Sequence, residues 1–156
     1  MFVIQLKYLK MKTILFISLI FFVAVGLYSF KEPKIDEIDE LKGIHFFDGT
    51  FNEALVKAKD LNKPIFLDVY AKWCGPCKLL KRTTFKDEEV GTYFNNNFIS
   101  IAINGETKEG NEIMKKYNIS AYPSLLIIDS NGEVKTREVG FKKPRVLINF
   151  GRRVIP

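Results

Sequence analysis

The only two cysteines of this 156-residue chain stand three positions apart in Trp73-Cys74-Gly75-Pro76-Cys77, directly after the apolar run Ile65–Ala71. A run of that length and character is the pattern of a strand buried on both faces in the middle of a sheet. Pro76 suits the first turn of a helix, where its missing N–H loses no needed hydrogen bond. The chain therefore has to pass from a central strand straight into a helix whose open start carries the sulfurs. Free N–H groups and the partial positive charge there stabilise a thiolate, the reactive form of cysteine. The second thiol sits one turn further on, close enough to close a disulfide with the first.

Other uses of the pair are weaker. A structural zinc site needs about four ligands, and beyond the cysteines the chain offers one histidine, His45, which is better placed as a strand residue; no metal is expected. A static disulfide around so small a loop removes little unfolded-state entropy. Redox chemistry is favoured. A reading of another class stays open, a membrane-tethered metal chaperone or binding module holding copper(I) on the two soft sulfurs.

With 47% hydrophobic residues, the chain has room for one ordinary domain and a leader. Of its formal charge of +6, Lys7, Lys10 and Lys12 supply three, and no basic stripe for nucleic acid is seen. Thr13 to Phe30 carries no charge and follows Lys10 and Lys12. That is the layout of a secretory signal, with Ala24-Val25-Gly26 as a small-x-small cleavage site and a cut after Ser29 as a second option. An uncleaved anchor is the alternative: Ile14 to Phe30 would rise about 25 Å as a helix against a hydrocarbon thickness of roughly 30 Å. Either way residues 1–30 place the domain outside the cytoplasm, secreted or tethered, and Met11 is a more natural start than Met1. Residues 31–42 read as a charged linker, and 43–156 as the domain.

Gly43 to Phe47 suits a first strand. Thr50-Phe-Asn-Glu53 is a capping box for a helix with Ala54, Leu55, Ala58 and Leu61 on one face, ending before Pro64. After the dithiol, Lys78 to Phe85 continues helically with Leu79 and Leu80 inward, and Asp87 caps a further helix through Phe94. Phe98 to Ile103 is a strand, Thr107 to Tyr117 a helix, and Ser124 to Asp129 another buried strand. Ser130-Asn131-Gly132 turns the chain into an antiparallel partner, Glu133 to Val139. Pro144 opens a last helix carrying Val146, Leu147 and Phe150. The order implies a mixed α/β sheet with helices on both faces.

Asp68 lies mid-strand among apolar neighbours, where an ionised carboxylate is costly and its pKa should rise; an edge aspartate facing water is the plainer alternative. Such an acid can take the proton of Cys77. Trp73 shields the dithiol and contacts partners, or is an ordinary core tryptophan.

Four landmarks in order resemble the thioredoxin superfamily over about Ile44 to Phe150: the pentapeptide Trp73-Cys-Gly-Pro-Cys77, Asp68 six residues before Cys74, Tyr122-Pro123 and Val139-Gly140. Asn62 to Cys74 and Thr84 to Val90 are similar to the secreted or membrane-tethered branch that includes the C-terminal domain of the bacterial thiol:disulfide interchange transporter. The resemblance implies a thioredoxin fold, three layers α/β/α around a mixed sheet of four to five strands. It implies Cys74 as attacking thiol at an exposed helix start, Cys77 as resolver and Asp68 as acid, with Trp73, Gly75, Pro76, Tyr122, Pro123 and Gly140 on the client side. A cis bond before Pro123 belongs to the same pattern; a trans proline opening a strand is the ordinary alternative. No cofactor is implied. Partners would be exported disulfide-containing proteins, apocytochrome c among them, and a membrane electron donor, the domain itself being a monomer. Gly-Pro between the cysteines resembles thioredoxin, whose potential of roughly −270 mV contrasts with about −120 mV for a strong oxidant of the superfamily. This favours a reductant over an oxidant; an oxidant or isomerase stays open as a third reading. Two departures stand out: Arg82 occupies the place of a kinking proline, and no lysine stands near Ala102 and Asn104, where thioredoxin sets one beside the acid.

Overall fold

The structure is a computed structural model that describes residues 42–156. The leader expected over 1–30, and the linker up to residue 41, lie outside the described residues. Element order is α1 (Phe51–Asp60), β1 (Ile65–Tyr70), α2 (Gly75–Arg82), a 3-10 turn (Thr84–Lys86), α3 (Glu88–Asn97), β2 (Ile99–Asn104), α4 (Lys108–Lys116), β3 (Ser124–Ile128), β4 (Val134–Val139) and α5 (Pro144–Arg152).

The four strands form one mixed sheet in the order β2-β1-β3-β4. β1 runs parallel to β2 and antiparallel to β3, and β3 pairs antiparallel with β4. A parallel neighbour needs a crossover, which α2 and α3 supply. This is the thioredoxin fold.

Two-residue periodicity divides the apolar strands between two cores. Ile65, Leu67 and Val69 pack with Leu126, Ile128, Ile101 and Ile103 against α1 and α4. Phe66 packs with Leu125 and Ile127 against Leu80, Phe94, Leu147 and Phe150 on the opposite side. Burial on both faces explains why β1, apart from Asp68, and β3, after Ser124, are apolar throughout rather than alternating. Asp68 shares the parity of Phe66, so its carboxylate points to the layer that contains α2.

Local signals set the helix starts. Thr50 Oγ1 accepts the Glu53 N–H, and Glu53 Oε2 accepts the Thr50 N–H at 2.7 Å, completing the capping box. Asp87 and Thr107 cap α3 and α4 by accepting the N–H of Val90 and Gly110. Such caps each contribute about 1 kcal/mol.

Several sequence expectations are corrected. Gly43–Phe47 is not a strand but makes one isolated bridge, Phe46 to Ser100. Only its end reaches β2, Phe47 N–H donating to the Ser100 carbonyl at 2.7 Å; Ile44 N–H goes instead to the Phe85 carbonyl at 2.7 Å, and His45 N–H to Asn95 Oδ1 at 2.8 Å. α2 starts at Gly75 and stops at Arg82, where a continuation to Phe85 was expected. There Thr83 Oγ1 donates back to the Leu79 carbonyl at 2.7 Å, and the chain tightens into the 3-10 turn. Leu80 is fully buried, whereas Leu79, expected to face inward with it, is exposed, as are Leu61 and Val146.

Candidate active site

β1, one of the sheet's two inner strands, delivers the chain into α2 at its C-terminal end, and Cys74 is the N-cap residue of that helix. Its sulfur accepts the Cys77 N–H at 3.1 Å, occupying one of the donors a helix start leaves free. Cys74 and Cys77 are joined in a disulfide with their Cα atoms 5.3 Å apart. Pro76 lies in the first turn. Gly75 has open space around its Cα, so nothing crowds the turn between the sulfurs.

Cys74 is not the exposed residue that its place at a helix start implied. It is 3% exposed and Cys77 is 6% exposed, in a small cluster with Ala71, against which Tyr70 and Tyr122 pack. The covering groups come from the ends of β1 and the loop before β3, which a reading of the helix alone does not supply.

Trp73 is 66% exposed, which removes the core-tryptophan alternative. Its indole Nε1 donates to Glu106 Oε1 at 2.7 Å, and its ring meets Tyr122 edge-on at 6.0 Å between centroids. Tyr122 precedes Pro123 across a cis peptide bond, so the trans alternative is also removed. The Tyr122 hydroxyl donates to Met114 Sδ at 2.9 Å. Burial, and then the charge of Glu106, raise its pKa. Gly140 closes the loop end of β4: its N–H donates to the Pro123 carbonyl at 2.8 Å, with φ +84° in the region that favours glycine.

Gly105, Glu106 and Met114 join the site without having been singled out in the sequence. The parallel register sets Tyr70 beside Asn104, so the residues just past β2 arrive beside those just past β1. A Cβ on Gly105 would collide with the Tyr122 hydroxyl and the Met114 sulfur, and so only glycine leaves this ring its seat. The usable signal was positional: Gly105-Glu106 follows a strand that pairs with the one leading to Cys74.

Asp68 is buried, as expected, and an edge position is excluded by its place between β2 and β3, opposite Ala102 and Leu125. Its Oδ1 makes no hydrogen bond. Burial raises its pKa from the ordinary 3.8 to about 7, while the positive charge of Lys81 pulls the other way. Loss of hydration favours the neutral acid, and the nearby cation offsets part of that. At neutrality the carboxyl is therefore poised between its two forms.

This geometry joins a helix-capping disulfide, a buried acid of shifted pKa and a loop with a cis proline, which together define a disulfide-oxidoreductase-type domain of thioredoxin fold. Comparison agrees. The profile of the thioredoxin-like domain matches residues 51–155. The solution structure of a candidate disulphide-isomerase from Bacteroides thetaiotaomicron superposes with a TM-score of 0.64 at 43% identity, covering 73% of this chain and 95% of that one. The C-terminal domain of DsbD from Neisseria meningitidis, in its oxidised form, gives 0.57 at 26% identity, covering 65% and 90%. The thiol:disulfide interchange protein DsbD of Yersinia pestis is 35% identical over 89 residues, which are 55% of this chain and 15% of that protein, so the match spans a small part of the longer relative. The chain belongs to the thioredoxin-like family and is DsbD-like within the thioredoxin superfamily.

Proposed function

We propose that this protein is an extracytoplasmic thiol:disulfide oxidoreductase that reduces or exchanges disulfides in exported proteins through Cys74 and Cys77. The observation that carries it is the Cys74–Cys77 disulfide at the start of α2, with the Asp68 carboxyl buried beneath and unbonded at Oδ1. In the reduced form the Cys74 thiolate, favoured by the helix start, attacks one sulfur of a client disulfide; a mixed disulfide forms and the client's other sulfur leaves as a thiolate. Asp68 then accepts the proton of Cys77, and the Cys77 thiolate attacks Cys74 Sγ. That closes the intramolecular disulfide and releases the client's second thiolate. Two electrons pass from the dithiol to the client. No cofactor enters.

Tyr122, Pro123, Trp73, Gly75, Pro76 and Gly140 form the client face in this reading. The client backbone lies extended beside Pro123 as an added strand, and the Tyr122 ring packed against the dithiol restricts what approaches Cys74. The charge-free run from Thr13 to Phe30 supports a site of action outside the cytoplasm. There a membrane-borne electron donor has to re-reduce the pair, and haem-attachment cysteines of apocytochrome c are suitable clients.

The test is capture. Cys77→Ser is expected to accumulate mixed disulfides with exported proteins through Cys74, and the purified reduced protein to precipitate insulin by cleaving its disulfides. Capture by Cys74→Ser instead of Cys77→Ser would reverse attacker and resolver. Absence of insulin reduction, with tight copper(I) binding, would overturn the proposal in favour of a metal-handling module.

A further inference from the structure

The ring beside Cys74 is held from outside the dithiol loop. Tyr122 packs against the Cys74–Cys77 pair on one side and against the core under α1 and α4 on the other. Its hydroxyl donates to Met114 Sδ at 2.9 Å, its one hydrogen-bond partner among the described residues. Met114 is half-buried on α4 and packs against the same core. Gly105 closes a further side, since a Cβ there would collide with both the Tyr122 hydroxyl and the Met114 sulfur. The Trp73 indole meets the ring edge-on at 6.0 Å and is itself held by Glu106. At Gly75, by contrast, there is no side chain and the space is open. The approach to Cys74 is therefore walled where Tyr122 stands and free at Gly75. None of the atoms that hold the ring belongs to the bond that opens and closes in the reaction, so the same holders are present in both redox states.

We propose that Met114 is a positioning residue that sets client specificity: by accepting the Tyr122 hydroxyl it pins the ring beside Cys74 and favours clients whose cysteine is flanked by small side chains. The proposal rests on the oxidoreductase reading above and adds its substrate class. A client strand extended beside Pro123 brings the neighbours of its cysteine to the ring that precedes that proline. A branched side chain there needs the volume the ring holds, and moving the ring breaks its hydrogen bond; glycine needs neither. Thioether sulfur is a weak acceptor, so the device sorts clients rather than barring them.

Reduced protein is mixed with either of two symmetric peptide disulfides, one with glycine and one with isoleucine on both sides of cysteine. Cys74 attacks one peptide sulfur and the other leaves as a thiolate; Cys77 then closes the intramolecular disulfide and releases the second, two electrons passing to the peptides. Each rate, followed by chromatography of the released thiol, is divided by that of dithiothreitol with the same disulfide, which removes intrinsic reactivity. The wild type should favour the glycine-flanked disulfide. Met114→Leu conserves volume and loses the acceptor. It should lower the preference about threefold, the factor of a hydrogen bond at the weak end of the usual range. It should also alter the emission of Trp73, the chain's only tryptophan, through the ring it touches. Met114→Gln, unbranched and with a carbonyl acceptor, should restore both. Tyr122→Phe keeps the ring, loses the donor and should match Met114→Leu, the double variant losing no more than either. The preference is a ratio measured on one sample, so a variant that is merely less stable leaves it unchanged.

Equal normalised rates with the two peptides in the wild type overturn the proposal, as does an unchanged preference in Met114→Leu. A loss in Met114→Leu that Met114→Gln does not restore also overturns it, because packing and not the acceptor is then at work. In each of these cases the protein still reduces peptides, and the oxidoreductase reading stands. Failure of the reduced wild type to reduce either peptide refutes that reading itself and the proposal with it.

Discussion

Replacing Asp68 by asparagine should stabilise the oxidised protein at alkaline pH relative to acidic pH. The folded-state pKa is raised from 3.8 to about 7, so between those values the folded protein binds a proton that the unfolded chain has released. Stability must then fall as pH rises through this window, because the unfolded state binds fewer protons. A gap of about 3 units corresponds to about 4 kcal/mol in total at about 1.4 kcal/mol per unit. Integrated to about pH 5 the loss is about 2 kcal/mol, and by about pH 8.5 it is the full 4 kcal/mol or so. Asparagine does not titrate, and its own cost of burial is independent of pH. Denaturant unfolding of the disulfide-intact wild type and Asp68→Asn, at those two pH values, is the assay. The stability difference between them should shift by about 2 kcal/mol in favour of the variant on going to the higher pH. A difference that stays constant would show that Asp68 titrates normally and would refute both its desolvation and the proton-accepting role built on it.

Three further outcomes follow from packing and backbone geometry. Phe94→Ala removes a fully buried ring with centroids 4.7 Å from Phe66 and 5.1 Å from Phe98, and should cost about 3–5 kcal/mol in denaturant unfolding; a loss below about 1 kcal/mol would contradict the assigned core. Gly140→Ala has free space for its methyl group but places a non-glycine residue at φ +84°, so a loss of about 1–2 kcal/mol is expected from backbone strain. Gly105→Ala should displace the Tyr122 ring, changing the fluorescence of Trp73, which is in edge contact with it, and the rate of insulin reduction; unchanged spectrum and rate would show that the ring does not depend on that glycine.

The elements that could be read from the sequence were those announced by local chemistry. Thr50, Asp87, Thr107 and Pro144 mark helix starts, and the unbroken runs of β1 and β3 mark the middle of the sheet, because these signals act within a few residues. Gly43–Phe47 misled because its apolar character satisfies the core while the N–H groups of Ile44 and His45 are taken by Phe85 and Asn95, far along the chain, and only that of Phe47 reaches β2. Leu79 misled because the helix phase is set by Cys77 and Leu80, three residues apart on the buried side. At the site, Cys74, Cys77 and Asp68 could be read from spacing and burial. The cover over Cys74 could not. It depends on the register between β1 and β2, which brings Gly105, Glu106 and Met114 to the loop carrying Tyr122.

The single bridge between Phe46 and Ser100 lies on the outer side of β2, one of the two margins of the sheet. An uncovered margin invites strands of other molecules to zip onto it and seed aggregates. The stub beside Ser100 occupies part of that margin, and at the other one β4 turns Lys135 and Arg137 to solvent, charges that discourage stacking of like chains. Both flanks of the sheet are thereby guarded against pairing with strands of other chains.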